Sequence, residues 1–324
     1  MRAMQPVSVA QFGIGPIGAE IVKLLLTKSW VRIVAAVDVD PSKIGKDLGT
    51  LVGSDPIGVL VTPRLEQTAE VVCHSTGSRL IDVQQQLDML LKGGSHVVST
   101  CEELSFPLDT AIRESLQTTA RSANVTLLGT GVNPGFVMDK LPLTISSVCQ
   151  QVSSIEITRV VDASHRREPL QRKVGAGMSE KEFAEAVSAG KIKHMGLRES
   201  LMMVGSGLNA EFDQVSDERI LPVMADRDIT TKFLTVRKGE VAGVHQTISG
   251  KGRIAVSLDI RMYVGAAAPM DRVVIKGIPD VVLEIPGGVH GDRATAAMVV
   301  NAIPRVIAAR PGVLTMDDIP ISFR

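Results

Sequence analysis

Apolar positions along this chain follow two rhythms. Residues 7–12 form a short apolar run that ends at a glycine, and from Ala19 onward Ile21, Val22, Leu24, Leu25 and Leu26 recur at the spacing of a helix face. Residues 31–37 return to a strand-like run, and residues 70–78 read as a buried strand ending in small polar residues. Residues 81–91 carry apolar side chains at helical spacing, and Gly93-Gly94 ends that helix. A short strand over 96–101, a helix over 108–122 and a strand over 125–128 follow, the last running into Gly129-Thr130-Gly131. Strands alternating with helices predict parallel pairing through right-handed crossovers, a doubly wound sheet.

The pattern changes near residue 135. Residues 154–162 alternate as a half-buried strand, and later strand candidates lie at 233–237, 241–249, 254–263 and 272–276. Helices are predicted over 180–189, capped by Ser179, and over 196–204. This predicts a second, α+β domain on a mixed or antiparallel sheet that supplies a substrate wall and a subunit interface. Asp292 is expected to cap a helix reaching residue 308, kinked or split at Pro304, which packs back on the first domain. The expected domains are therefore 1–134, 135–286 and 287–324. Neither an internal repeat nor a low-complexity tract is visible.

The first strand delivers Gly13-Ile14-Gly15-Pro16-Ile17-Gly18, a Gly-x-Gly-x-x-Gly run between strand and helix. In a Rossmann-type fold the first glycine allows the tight turn, the second lets a pyrophosphate approach the backbone, and the third lets helix and strand pack closely. The phosphates then rest on the amides at the positive end of the helix. Asp38 stands 20 residues after Gly18, at the end of the second strand, where an acid accepts a hydrogen bond from an adenosine ribose. The α/β reading and a nicotinamide cofactor follow. Asp38 favours NAD by repelling a 2′-phosphate, while Lys43 and Lys46 offset that repulsion, so NADP is an admissible second cofactor.

Composition narrows the class further. Lysine plus arginine equals aspartate plus glutamate at 35 each in 324 residues, so no net field draws the chain to nucleic acid or an anionic membrane. No apolar stretch is long enough to span a bilayer, and residues 1–6 contain no apolar leader segment. Cys73, Cys101 and Cys149 have neither a disulfide framework nor metal-ligand spacing, which fits a reducing cytoplasm and predicts no metal site. One tryptophan and one tyrosine argue against an aromatic cage for a quaternary amine.

Ligands of a doubly wound sheet gather at the carboxyl ends of its strands. That rule selects Ser75, Thr76, Thr100, Cys101 and Asn133 as candidate ribose or nicotinamide contacts, with Gly288 bringing backbone amides toward the cofactor. His74, by contrast, reads as a structural polar group. Glu102 and Glu103 are the acids directly at a strand end in this half. On an extended chain neighbours face opposite ways, so one should enter the site and the other should not.

Three further segments carry a resemblance. Ser99-Thr100-Cys101-Glu102-Glu103-Leu104, Gly129-Thr130-Gly131-Val132-Asn133-Pro134-Gly135-Phe136 and Gly287-Gly288-Val289-His290-Gly291-Asp292 follow the glycine motif in that order. Together they resemble the 2,4-diaminopentanoate dehydrogenase and native amine dehydrogenase family, whose fold is like that of dihydrodipicolinate reductase. The similarity runs through nearly the whole chain, including Asn301-Ala302-Ile303-Pro304-Arg305-Val306. Residues 162–173 are more similar to the diaminopentanoate branch. The resemblance implies NAD(P)-dependent oxidative deamination, reversible as reductive amination, in a homodimer.

Chemistry agrees with it. A hydride leaves carbon only when the amine nitrogen has a lone pair to donate, so a carboxylate must first take the ammonium proton. The resemblance places that role on Glu102. Glu103, Asn133, Pro134, Phe136 and His290 are candidate substrate contacts. Arg166, Arg167, Gln171 and Lys173, with His165 beside them, favour an amine that also carries a carboxylate, since a guanidinium clamps a carboxylate and a plain alkylamine offers nothing to clamp. The leading expectation is a dehydrogenase of a diamino acid such as 2,4-diaminopentanoate, giving 2-amino-4-oxopentanoate, ammonia and NADH. Alternatives are a native amine dehydrogenase acting on short ketones or aldehydes, an imine reductase (though its second basic motif is absent), and a non-catalytic dinucleotide sensor.

Overall fold

The structure, a computed structural model, describes residues 6–320, 322 and 323. The expectation about a leader segment falls on residues 1–5, outside them. The chain folds as two compact units. The first joins the residues up to Phe136 with those from His290 onward, and the second is Val137–Val289.

The first unit alternates β1 (Val7–Phe12), α1 (Pro16–Leu25), β2 (Val31–Val37), α2 (Leu48–Leu51), β3 (Val61–Thr62), β4 (Val71–His74), α3 (Leu80–Lys92), β5 (His96–Ser99), α4 (Thr110–Ser122) and β6 (Thr126–Gly129). A C-terminal helix, Gly291–Ala308, and a strand, Gly312–Leu314, complete it. The seven strands pair in parallel in the order Gly312–Leu314, β6, β5, β4, β1, β2, β3. This is the predicted doubly wound sheet, and β1 sits where the strand order reverses. Buried apolar spacing builds each layer. Leu80, Val83, Leu87, Leu90 and Leu91 form one face of α3, and they meet Val72, Val97 and Leu127 of the sheet in a single core. The C-terminal helix packs on α1 and β5. His290, rather than Asp292, is the N-cap of that helix. Of the kink or split expected at Pro304, the split does not occur, since the helix runs through it. The proline stands in its last turns and removes one amide donor.

The second unit contains α5 (Lys140–Ser146), β7 (Gln151–Asp162), α6 (Glu168–Lys173), α7 (Glu180–Ser188), α8 (Leu197–Gly207), β8 (Phe212–Val215), β9 (Arg219–Met224), β10 (Ile229–Thr230), β11 (Thr235–Val236), β12 (Val241–Gly252), β13 (Ala255–Tyr263), β14 (Met270–Ile278) and β15 (Val281–Pro286). Its main sheet is mixed, ordered β15, β14, β7, β13, β12, β8, with β9 also on β12; β7 and β13 run parallel and the other pairs antiparallel. Ser179 caps α7 in a reciprocal box with Glu182, whose Oε2 accepts from the Ser179 amide at 2.8 Å. The strand expected over 233–237 shrinks to β11, because Thr231 Oγ1 accepts from the Phe233 and Leu234 amides and turns the chain there.

Candidate active site

The glycine loop shows why each of its positions is what it is. Gly13 has φ +90°, and a Cβ there would sit 2.7 Å from the Ser75 carbonyl oxygen. A Cβ on Gly18 would run into the Gly13 carbonyl and lie 2.9 Å from Ser75 Oγ. At Gly15, the N-cap of α1, a Cβ would meet nothing within 4 Å, and no side chain caps the helix. The first turn of a helix leaves its amides without intrahelical acceptors, so this open end suits the pyrophosphate of a dinucleotide. The loop is braced from beneath: Gln11 Nε2 donates to the Gly13 carbonyl at 2.8 Å and to Ser75 Oγ at 2.9 Å, and Ser75 Oγ donates to the same carbonyl at 2.9 Å. The sequence reading makes Ser75 a cofactor contact. Its hydroxyl instead holds the loop that would touch the cofactor.

Asp38 lies at the end of β2, nearly buried. Its Oδ2 accepts from the Ile14 amide at 2.8 Å and from Lys43 Nζ at 2.9 Å, and Oδ1 accepts from the Asp40 amide at 2.9 Å. Burial raises the Asp38 pKa, but the hydrogen bonds from Asp40, Lys43 and Ile14 outweigh it and hold the carboxyl below its ordinary value. The carboxylate is thus tied to the glycine loop and fixed in its ionised form.

The ends of β4 and β5 lie on the same edge of the sheet. His74 is fully buried; Nδ1 meets Ser99 Oγ at 2.9 Å, and Nε2 meets Gln86 Oε1 at 3.0 Å and Thr76 Oγ1 at 2.9 Å. Burial pushes its pKa down to about 4, so it is a neutral strut, as read from the sequence. Thr76 is exposed at the strand end and donates to Gln86 Oε1; Thr100 is half-buried and its amide bonds the His74 carbonyl.

Beyond β5 the chain is not extended. Glu102–Ser105 is a 3-10 turn, so the side chains of Glu102 and Glu103 diverge as they do around a helix rather than across a strand. Glu103 Oε2 accepts from the Leu80 amide at 2.7 Å and so closes the amino end of α3. Glu103, expected as a substrate contact, is thus tied through one carboxylate oxygen to the start of α3. Cys101 is reassigned. It is 1% exposed and its thiol donates to the Ser78 carbonyl at 3.2 Å, while burial pushes its pKa up to about 12. It shapes the turn and offers no surface to a cofactor. Glu102 remains half-buried at the strand end, with its carbonyl taking the Ser105 hydroxyl at 2.8 Å.

After β6, residues 129–136 form a tight loop. Cβ atoms on Gly129, Gly131 and Gly135 would each press on backbone, and the Val132 amide donates to Thr295 Oγ1 of the C-terminal helix at 3.2 Å. Asn133 and Phe136 are half-buried, and Pro134 is buried. His290, read as either a ligand contact or a helix cap, is the N-cap of that helix, with Nδ1 accepting from the Arg293 amide at 3.5 Å.

The second unit holds the remaining candidates. His165 is exposed, its side chain 92% accessible and 4.0 Å from Asp162. Arg166 and Arg167 are half-buried, Arg167 is the N-cap of α6, and its Nε is buried without a hydrogen-bond partner. Gln171 is a correction. It is fully buried, its Nε2 donates to the Ser164 and Arg166 carbonyls at 3.1 and 2.9 Å, and its Oε1 accepts from Thr231. It holds the shape of the basic segment and cannot also bind substrate. Gly287 and Gly288 have φ +77° and +65°, and their loop is gripped by a pair that sequence reasoning misses. Arg159 Nη1 meets Asp271 Oδ1 at 2.7 Å, Nη2 donates to the Val289 carbonyl at 2.8 Å, and Asp271 Oδ2 accepts from the Val289 amide at 2.7 Å. A signal exists: Arg159 shares the inward face of β7 with Ile155 and Ile157, as Asp271 does in β14 with Val273 and Ile275. Among the described residues, no group of histidine, cysteine and acidic side chains could hold a metal ion.

The profile described as the 2,4-diaminopentanoate dehydrogenase C-terminal domain matches residues 136–323. The chain belongs to the 2,4-diaminopentanoate dehydrogenase family. A 2,4-diaminopentanoate dehydrogenase from Acetoanaerobium sticklandii is 29% identical over 98% of this chain and 94% of its own. The structure of an amine dehydrogenase from Mycobacterium smegmatis superposes with a TM-score of 0.87 at 23% identity, over 100% of this chain and 99% of that one. A dihydrodipicolinate reductase from Paenisporosarcina sp. TG-14 aligns at 13% identity with a TM-score of 0.54, over 98% of this chain and 100% of that one. The expected family and fold are both borne out.

Proposed function

We propose that this member of the diaminopentanoate dehydrogenase family catalyses reversible, NAD(P)-dependent oxidative deamination of a primary amine, with a diamino acid such as 2,4-diaminopentanoate as the substrate. The observation that carries the reading is the parallel-sheet edge where the open α1 terminus, Asp38 and Glu102 are assembled in one unit. Gly13–Gly18 would hold the pyrophosphate and Asp38 the adenosine ribose. A bound oxidised nicotinamide supplies the acceptor for the hydride. Glu102 binds the substrate ammonium and takes one proton from it, freeing the nitrogen lone pair that lets the carbon give up its hydride. Water then adds to the resulting iminium carbon, Glu102 moves the protons, and the C–N bond breaks to give a ketone and ammonia. R₂CH–NH₃⁺, NAD⁺ and water thereby become R₂C=O, NH₄⁺, NADH and a proton. Asn133, Pro134 and Phe136 are proposed as the wall beside this chemistry.

NAD is the proposed preferred cofactor, because Asp38 would face a 2′-phosphate with its negative charge; its bond to Lys43 softens that repulsion and leaves NADP usable. We further read the chain as a cytoplasmic homodimer. Its three cysteines are free, as a reducing compartment maintains them, and the homodimer comes from the family resemblance. Among the described residues no helix is long and apolar enough to cross a membrane.

The test is NADH formation from 2,4-diaminopentanoate, compared with 2-aminopentane, by the wild type and Glu102→Gln. The expected result is a loss of at least about a hundredfold in kcat for Glu102→Gln, the scale of general base catalysis, with NADH still bound. Turnover unaffected by the substitution sinks the role of Glu102. A wild type that binds NADH but turns over no amine favours the dinucleotide sensor.

A further inference from the structure

Within the first unit, α1 and the start of the C-terminal helix border an open cavity of about 400 Å³. Pro16, Ala19, Glu20 and Lys23 give it one wall, and His290, Asp292 and Arg293 give it the other. The first set is one face of α1, and it begins at Pro16, directly after Gly15. The cavity thus starts at the helix end that the glycine loop leaves open, and the amino end of the C-terminal helix reaches the same space. Its charges are mostly balanced. Glu20 Oε1 and Lys23 Nζ pair at 2.9 Å. Asp292 stands in the first turn of the C-terminal helix, where the positive pole favours a carboxylate, and it makes a polar interaction of its own. Arg293 is exposed and has no acidic partner within ion-pair distance among the described residues.

The pyrophosphate of a dinucleotide carries a negative charge on each phosphate. A helix amino end offers it the equivalent of about half an elementary charge, so the glycine loop alone leaves most of the ligand's charge unanswered. A guanidinium supplies what is missing. It is a full and permanent charge, and its planar fork of N–H groups matches phosphate oxygens in pairs. Arg293 is the one cation lining this cavity that no carboxylate already holds.

We propose that Arg293 is a further cofactor-binding residue, whose guanidinium pairs with the pyrophosphate at the α1 terminus. The inference rests on the dinucleotide reading of the glycine loop and is independent of deamination. Its test is calorimetric titration of the full chain with NADH and with ADP-ribose, which has the same pyrophosphate and lacks the nicotinamide. Arg293→Met should weaken both about tenfold or more, the scale of losing a hydrogen bond to a charged group. Arg293→Lys should recover part of the loss, because it keeps the charge without the fork. High salt should weaken wild-type binding more than that of Arg293→Met, and the free proteins should melt alike. Binding unchanged in Arg293→Met overturns the proposal. So does a loss confined to NADH, which would put Arg293 at the nicotinamide half. A loss that brings a lower melting temperature and no recovery in Arg293→Lys overturns it as well. None of these titrations uses an amine, so failure of deamination leaves Arg293 standing. A wild type that binds neither compound overturns the dinucleotide reading and Arg293 together.

Discussion

At the residue scale, an inner and an outer glycine of the loop separate folding from binding. Gly18 has no room for a methyl group because the Gly13 carbonyl stands in its place, whereas Gly15 faces open space and has φ −73°, which alanine adopts without strain. Gly18→Ala should destabilise the fold by an amount typical of overpacking, about 1–3 kcal/mol, and so lower the melting temperature. Gly15→Ala should melt like the wild type yet bind NADH about tenfold or more weakly, a pattern that thermal melts and titration resolve together. His74 gives a pH signature. Its imidazole takes a proton only near pH 4 when folded but near 6.5 when unfolded, so the unfolded chain gains the proton first as pH falls. The stability held by the neutral ring is whole above about pH 6.5 and drains away down to about pH 4, about 3 kcal/mol in all. Across that window the wild type should lose more stability than His74→Gln, and parallel urea-denaturation curves would refute this.

At the scale of elements, adjacent acids in one turn have different duties. Glu103→Ala removes the group that meets the first amide of α3 and should cost about 0.5–2 kcal/mol of stability while kcat holds, the reverse of the pattern expected for Glu102→Gln. Thermal melts beside initial rates decide it. The distinction is not legible in the sequence, because chain position brings both acids to the strand end and only the 3-10 geometry sets their directions. Cys101 and Gln171 mislead for a related reason. Each neighbours the right residues along the chain, yet its side chain turns to a nearby backbone carbonyl and is buried there. The alternating strands and helices of the first unit are legible because their buried faces repeat over several turns or residues. β15 and the strand Gly312–Leu314 are not. The first is an edge strand with every second side chain exposed, and the second has three residues, too few for a periodicity.

At the scale of the whole molecule, what distinguishes the second unit is a charge pair inside its sheet. Arg159 and Asp271 are directly opposite across β7 and β14, each 3% exposed. Removing one partner strands the other without water, so Asp271→Leu alone should cost about 3–5 kcal/mol, and adding Arg159→Met should recover most of it in a denaturant titration. Recovery of stability would not mean recovery of everything. Apolar residues on β7 and β14 can find one another at more than one offset, because a slip of two residues keeps the same faces inward. Such a slip would leave a guanidinium and a carboxylate buried opposite hydrocarbon. We predict that the doubly apolar variant, though stable, refolds with a larger share of misaligned and aggregated chains than the wild type.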